Sequence, residues 1–275
     1  MADRFRYVVA DVFTDAPLTG NGLAVFTDAR ELPEAMLQPL ARELNLSETV
    51  FVYPKEADGH VRIRIFTPAV ELPFAGHPVL GTAFVLAAPL QLVEIRLETL
   101  SGVVPVLLER EGARIVFGRM EQPYPTVAPV DDEAALLTAV GVERSELPVE
   151  VYDNGVRHAY VCVESRERVA ALTPDYGALR GLGFGVNCFA GDGERWKTRM
   201  FGPALGMAED PATGSAAGPL ALHLVRHGRI EPDTEIRIEQ GAEIDRPSTL
   251  FARAGDDRIE VGGSAVVVAR GEFRL

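Results

Sequence analysis

Two short stretches of the chain carry the same kinds of residue in the same order. Glu71-Leu72-Pro73-Phe74-Ala75-Gly76-His77 and Glu209-Asp210-Pro211-Ala212-Thr213-Gly214-Ser215 each run from an acidic residue through a proline to a glycine and a polar side chain. Each then enters an apolar run long enough for a buried helix. A helix that starts after such a glycine directs unpaired N–H groups and the positive end of its dipole at whatever precedes it. Two such ends facing each other would hold a small anion, most simply a substrate carboxylate. His77 and Ser215 would then stand at the mouth of one cleft. Taken singly, either stretch reads as an ordinary glycine-led helix start. Its recurrence after about half of the 275-residue length favours a duplicated domain with one site made from two halves.

Glu48 is the candidate proton carrier. It lies in Leu46-Ser47-Glu48-Thr49, where a helical pattern gives way to a strand pattern, and functional side chains often sit at such junctions. A carboxyl walled by Phe51, Phe66 and Phe74 could both take and return a proton near neutral pH. Read alone, a Glu in such Ser-containing turn chemistry is a solvated cap.

Several other chemistries are absent. The chain has no GxxxxGK[ST] phosphate loop, no strand-led GxGxxG with a downstream acid, no HExxH and no GxSxG, so neither a cofactor nor a metal is expected. His223 and His227 stand four apart and could in principle ligate a metal. They fall near the C-terminal end of a helix, where the dipole favours histidine, and are given no role. Arg226 and Arg229 read as the solvated end of the same helix. Cys162 and Cys188 lie in apolar surroundings without CxxC spacing, as buried reduced thiols would.

The elements that must position these residues follow from periodicity. Residues 7–13 and 23–26 read as strands around a tight Gly20-Asn21-Gly22 turn, and residues 34–44 as an amphipathic helix with Leu37, Leu40, Ala41 and Leu44 on one face. Residues 61–66 alternate with period two, and residues 78–88 are apolar on every side, which predicts a helix enclosed by strands. Strands recur at 95–98, 103–108 and 114–117. The second half repeats the order, with strands at 150–152, 159–164 and 197–201, an apolar helix over 216–226, and strands at 235–239, 248–254, 258–261 and 264–270. The fold class is therefore α/β (α+β), each half a sheet wrapped around one central helix. The domains are set at 1–122 and 123–275, joined at the Pro-rich stretch 122–129, with the last strands able to pack back on the first domain.

Composition bounds the partners. A 47% apolar chain of this length can fill two cores, and a net charge of −13 argues against nucleic acid or an anionic membrane surface. The N-terminal residues lack a signal-peptide pattern and no apolar run reaches membrane-spanning length, so a cytoplasmic location is expected.

Longer motifs point to a family. LSETVFV (46–52), RIFTPAVELPFAGHPVLGTA (64–83) and RMFGPALGMAEDPATGSAAGPLALHL (199–224) closely resemble the PhzF-like phenazine-biosynthesis family, with GNGLAVF (20–26) and QGAEIDRPS (240–248) in the same order and spacing. The stretches 151–158 and 186–191 resemble the members that act in the phenazine pathway. The resemblance implies a diaminopimelate epimerase-like fold of two pseudo-symmetric domains, each a barrel-like, mostly antiparallel sheet around a central helix. It further implies a homodimer, no cofactor, and isomerisation of trans-2,3-dihydro-3-hydroxyanthranilate, a small carboxylate, toward its aminoketone tautomer. Carried over residue by residue, it makes Glu48, His77 and Asp210 catalytic, and Ser47, Gly76, Gly214 and Ser215 substrate-binding. Two departures, Gly22 where the family has proline and Asp245 where it has glycine, fall outside the expected proton-transfer group. An epimerase for another amino-acid-like carboxylate, or a silent small-molecule binding protein, are the competing readings. A two-thiol racemase is disfavoured, because His77 and Ser215 occupy the positions where thiol members of the superfamily carry cysteine.

Overall fold

In the computed structural model, which describes residues 4–275, the chain is mixed α+β and divides into two units. The first joins the segment up to Glu121 to Gly262–Leu275, and the second is Gln122–Val261. In chain order the first unit holds β1 (Arg4–Val12), β2 (Asn21–Phe26), α1 (Glu34–Leu44), β3 (Glu48–Pro54), β4 (Val61–Phe66), β5 (Glu71–Leu72), α2 (Gly76–Leu90), β6 (Glu94–Thr99), β7 (Gly102–Glu111) and β8 (Arg114–Gln122). The second continues with β9 (Thr126–Pro129), α3 (Glu133–Val140), β10 (Glu150–Asp153), β11 (Arg157–Cys162), α4 (Arg166–Ala170), α5 (Tyr176–Arg180), β12 (Gly185–Asp192), β13 (Arg195–Phe201), β14 (Glu209–Asp210), α6 (Gly214–Arg226), β15 (Ile236–Gln240), β16 (Ser248–Ala254) and β17 (Ile259–Gly263). The last strand, β18 (Ala265–Arg274), pairs antiparallel with β1 along its length.

Most ladders are antiparallel, but the two units share a parallel step at equivalent places. In the first, β2 runs parallel to β3 and β3 antiparallel to β4. In the second, β11 runs parallel to β12 and β12 antiparallel to β13. A parallel step needs a crossover, which α1 supplies in the first unit and α4 with α5 in the second.

Helix α2 is the core of its unit because its sequence has no polar face. Val79, Leu80, Ala83, Phe84 and Val85 are buried, and the helix packs against β1, β2, β3, β6, β7 and β18. Each such large apolar side chain contributes on the order of 1.5–3 kcal/mol on burial. The close approach of the sheet requires Gly81, where a Cβ would lie 2.6 Å from both Val12 and Leu23 side chains. Helix α6 is the counterpart, buried from Gly214 to Leu224 and packed against β16.

Two expectations are corrected here. The Pro-rich stretch 122–129 is not a free linker: Gln122 ends β8, and Thr126–Pro129 pairs with β10. Prolines are tolerated there because an edge segment need not donate every N–H. Phe51 and Phe66 do not wall Glu48. Alternation along β3 puts Phe51 on the face opposite Glu48, and both rings join the cluster beneath α1 with Leu37, Leu40 and Ala41.

Candidate active site

In the first unit three polar residues meet inside the fold. Helix α1 ends at Asn45, whose left-handed φ of 50° turns the chain so that Leu46 and Ser47 deliver Glu48 as the first residue of β3. Glu48 is 6% exposed, His77 3% and Asn21 0%. His77 is the second residue of α2, and its Nε2 lies 3.0 Å from Glu48 Oε2. At that distance the edge of the imidazole ring faces the carboxylate. Behind the ring, Asn21 Nδ2 lies 3.3 Å from His77 Nδ1. With the amide donating there, the ring proton sits on Nε2, toward Glu48. Asn21, which the sequence reads only as part of a turn, therefore fixes the orientation of the His77 ring. Gly20 makes that turn at φ +66°, where a Cβ would meet the Val12 carbonyl oxygen at 2.4 Å.

The N-cap residues of α2 and α6, Ala75 and Thr213, make no side-chain cap hydrogen bond. The first N–H groups at Gly76 and at Gly214-Ser215 thus keep the anion-binding character expected of uncapped helix starts.

In the second unit the Asp210-Pro211-Ala212-Thr213 turn is held by one side chain from β15. Gln240 Nε2 donates to the Asp210 carbonyl at 2.8 Å and to Thr213 Oγ1 at 2.9 Å, while Gln240 Oε1 accepts from Thr213 N at 3.1 Å. Thr213 Oγ1 donates in turn to Asp210 Oδ2 at 2.7 Å. The first turn of α6 is clamped from outside the helix. Gln122 donates to the Gly214 carbonyl, Asn154 to that of Ser215 and Tyr160 to that of Ala216. The Asn154 contact has a specific cause: Pro219, four residues on, has no N–H to give the Ser215 carbonyl. Ser215 Oγ lies 3.0 Å from Nε2 of the buried His158. Burial pushes that imidazole down to about 4, so it is neutral at physiological pH.

A bidentate arginine braces each approach to a helix start. Arg64 Nε and Nη2 each lie 2.7 Å from the Glu71 carboxylate. Arg199 Nε and Nη2 lie 2.9 and 2.7 Å from that of Glu209. The guanidinium also stacks on the phenylalanine two residues along, Phe66 or Phe201. The repeated acidic residue of the two motifs is therefore a brace rather than a reacting group.

Among the described residues, one set has metal-ligand character: Glu150, His223 and His227, with ligand atoms within 4.8 Å of one another. Arg226 lies 3.3 Å from the carboxylate and Tyr152 donates to it at 3.0 Å, so its charge is already compensated. His223 is fully buried against Tyr152, Tyr160 and Phe189 rather than on a solvated helix flank. Burial, with His227 beside it, pushes it down to about 4. Burial raises the Cys162 and Cys188 thiols to about 11 and about 12, which disfavours thiolate chemistry at either.

Of the residues singled out in the sequence, Glu48 and His77 come together in one unit, with Ser47 and Gly76 adjoining them in the chain. Asp210, Gly214 and Ser215 do so in the other. Asn21, Asn154, His158 and Gln240 were not singled out. The stretches GNGLAVF, VYDNGVRH and QGAEIDRPS that contain them were the signal.

Comparison with known proteins gives the family and the fold. The sequence matches the PhzC-PhzF family, described as phenazine biosynthesis-like protein, over residues 10–271. A trans-2,3-dihydro-3-hydroxyanthranilate isomerase of Pseudomonas aeruginosa is 50% identical, with 98% of this chain and 99% of that protein covered. The crystal structure of a PhzF-family phenazine biosynthesis protein from Bacillus anthracis superposes with a TM-score of 0.86 at 24% identity, covering 99% of this chain and 100% of that one. A hydroxyproline epimerase from Agrobacterium vitis shares the fold at 12% identity, with a TM-score of 0.69 and coverage of 100% and 94%. Expected from its motifs and matched across nearly its whole length, this chain belongs to the PhzC-PhzF family of phenazine biosynthesis-like proteins.

Proposed function

We propose that this protein is a cofactor-independent isomerase that converts trans-2,3-dihydro-3-hydroxyanthranilate to its aminoketone tautomer, with Glu48 as the proton carrier. The observation that carries the reading is the buried Glu48 carboxylate 3.0 Å from His77 Nε2 at the start of α2. Glu48 removes a proton from an sp³ ring carbon and returns it to another carbon on the same face, so that no atom is gained or lost. His77 and Asp210 polarise the ring hydroxyl and amino groups. Ser47, Gly76, Gly214 and Ser215 hold the carboxylate and stabilise the negative charge that develops as the proton leaves. The 50% identity to an isomerase of that name supports the substrate.

The reading includes a homodimer working in the cytoplasm, which sedimentation and cell fractionation would check. Among the described residues, no helix is long and apolar enough to cross a membrane.

The test is ultraviolet-monitored turnover of trans-2,3-dihydro-3-hydroxyanthranilate, with mass spectrometry of the product, by wild type and Glu48→Gln. Loss of diene absorbance with wild type alone supports the reading. Equal conversion by the variant removes Glu48 from the mechanism. A folded wild type that leaves the compound unchanged overturns the substrate and turns the search to other amino-acid-like carboxylates.

A further inference from the structure

Residue His158 lies on β11, opposite Tyr152 in the β10–β11 hairpin, and is 1% exposed. Its Nε2 is 3.0 Å from Ser215 Oγ, and among the described residues its Nδ1 has no hydrogen-bond partner. Nδ1 faces Gly185 on the parallel neighbour β12, where a Cβ would come within 2.9 Å of it. The ring fits because residue 185 has no side chain.

These facts decide where the ring proton sits. A neutral imidazole has one N–H. Placed on Nδ1, that N–H would be a buried donor without an acceptor. Placed on Nε2, it donates to Ser215 Oγ and leaves only a lone pair unmatched, which costs less. Ser215 Oγ then accepts from His158, and the hydroxyl hydrogen is directed to a third atom. The rest of Ser215 cannot swing away, because Asn154 holds its carbonyl and α6 holds its backbone. A hydroxyl pinned as a donor beside uncapped helix N–H groups suits an anionic oxygen.

We propose that His158 is a positioning residue that commits Ser215 to donate its hydrogen bond to the substrate carboxylate. This deepens the isomerase reading and rests on it for the identity of the carboxylate. The first unit has no equivalent of the arrangement. There Leu23 faces Glu48 across the parallel β2–β3 step, just as His158 faces Gly185.

Two measurements test it. Long-range proton–nitrogen NMR on the ligand-free protein reads the His158 tautomer directly. The Nε2–H form is expected, and the Nδ1–H form would overturn the proposal whatever the substrate. The second compares His158→Leu, His158→Gln, Ser215→Ala and the Leu/Ala double variant in binding 3-hydroxyanthranilate and its carboxamide, with KM and kcat for turnover. His158→Leu should weaken the carboxylate about tenfold in Kd and KM, with a smaller change in kcat, and leave the carboxamide nearly unaffected. The double variant should be no worse than Ser215→Ala, and His158→Gln, which keeps a donor, should recover part of the loss. Equal weakening of both ligands, or additive effects of the two substitutions, would make His158 merely structural. Because the tautomer is read without substrate, failed turnover by wild type would retire the isomerase reading separately.

Discussion

The two units build one frame and put different chemistry in it. Strand register aligns Phe66 with Phe201, Arg64 with Arg199 and Glu71 with Glu209, and each arginine–glutamate brace leads into an uncapped, apolar helix. By the same register Glu48 corresponds to Gly185 and Leu23 to His158, and His77 and Ser215 are each the second residue of their helix. Where the first unit has a carboxylate beside an imidazole, the second has an imidazole beside a hydroxyl. The first pair can move a proton. The second, with its histidine neutral and enclosed, can only orient one. Both frames end in a glycine-led helix start, and only the first carries a carboxylate at the start of the strand that pairs with the brace.

If that division holds, Glu48→Gln gives the largest effect. Turnover should fall about 10³-fold or more, within the range that a positioned general base contributes. Binding of 3-hydroxyanthranilate by calorimetry should change little. A comparable loss of turnover in Ser215→Ala with unchanged binding would erase the distinction between the units.

The braces sharpen the comparison next. The Arg199 and Glu209 side chains are 8% and 4% exposed, those of Arg64 and Glu71 17% and 26%. Arg199 Nη1 also caps the end of α4, donating to the carbonyls of Ala170 and Leu172. Removing one partner of a buried pair costs about 3–5 kcal/mol. Arg199→Met should therefore lose about that much in urea unfolding, and Arg64→Met, more exposed, about 1–2 kcal/mol.

Acid should act on the second unit. His158 and His223 are held neutral down to about 4 in the fold, whereas an exposed histidine takes up its proton near 6.5. Between those values the unfolded chain binds more protons. The stabilisation is therefore complete above pH 6.5 and is lost as pH falls toward 4, by at most about 3 kcal/mol per histidine. Urea midpoints at pH 7 and pH 5 should show the drop, and His158→Gln should make it shallower. An unchanged midpoint at pH 5 would contradict the buried, neutral state of both rings.

The smallest expected effect is Asn154→Ala. It leaves the Ser215 carbonyl without its replacement for the N–H that Pro219 lacks, at about 1–2 kcal/mol. A Pro219→Ala change in the same background should recover part of that loss, measured by thermal unfolding.

Much of the frame was legible in the sequence because it is local. The paired glycine-led helix starts, helix α1 over Glu34–Leu44 and strand β4 over Val61–Phe66 follow from spacing alone. The clamps were not legible, because they join residues far apart in the chain: His158 to Ser215, Gln240 to Asp210, Asn21 to His77. No period or motif length encodes such a contact. Helix α3 was also missed, being eight residues long and nearly all apolar, with only the Asp132 cap to announce it. The misplaced aromatic wall around Glu48 has a simpler cause. In a strand, residues three apart point to opposite faces, so Phe51 could not share a face with Glu48.

The central claim is that one buried carboxyl carries the same proton between two carbons. It is tested most directly by mass spectrometry of product formed in ordinary water from substrate deuterated at the reacting sp³ ring carbon. With Glu48 only 6% exposed, part of the deuterium should reappear at the second carbon of the product. Product that carries no deuterium there, from an enzyme turning over normally, would show that separate groups or solvent deliver the proton, contrary to the role given to Glu48.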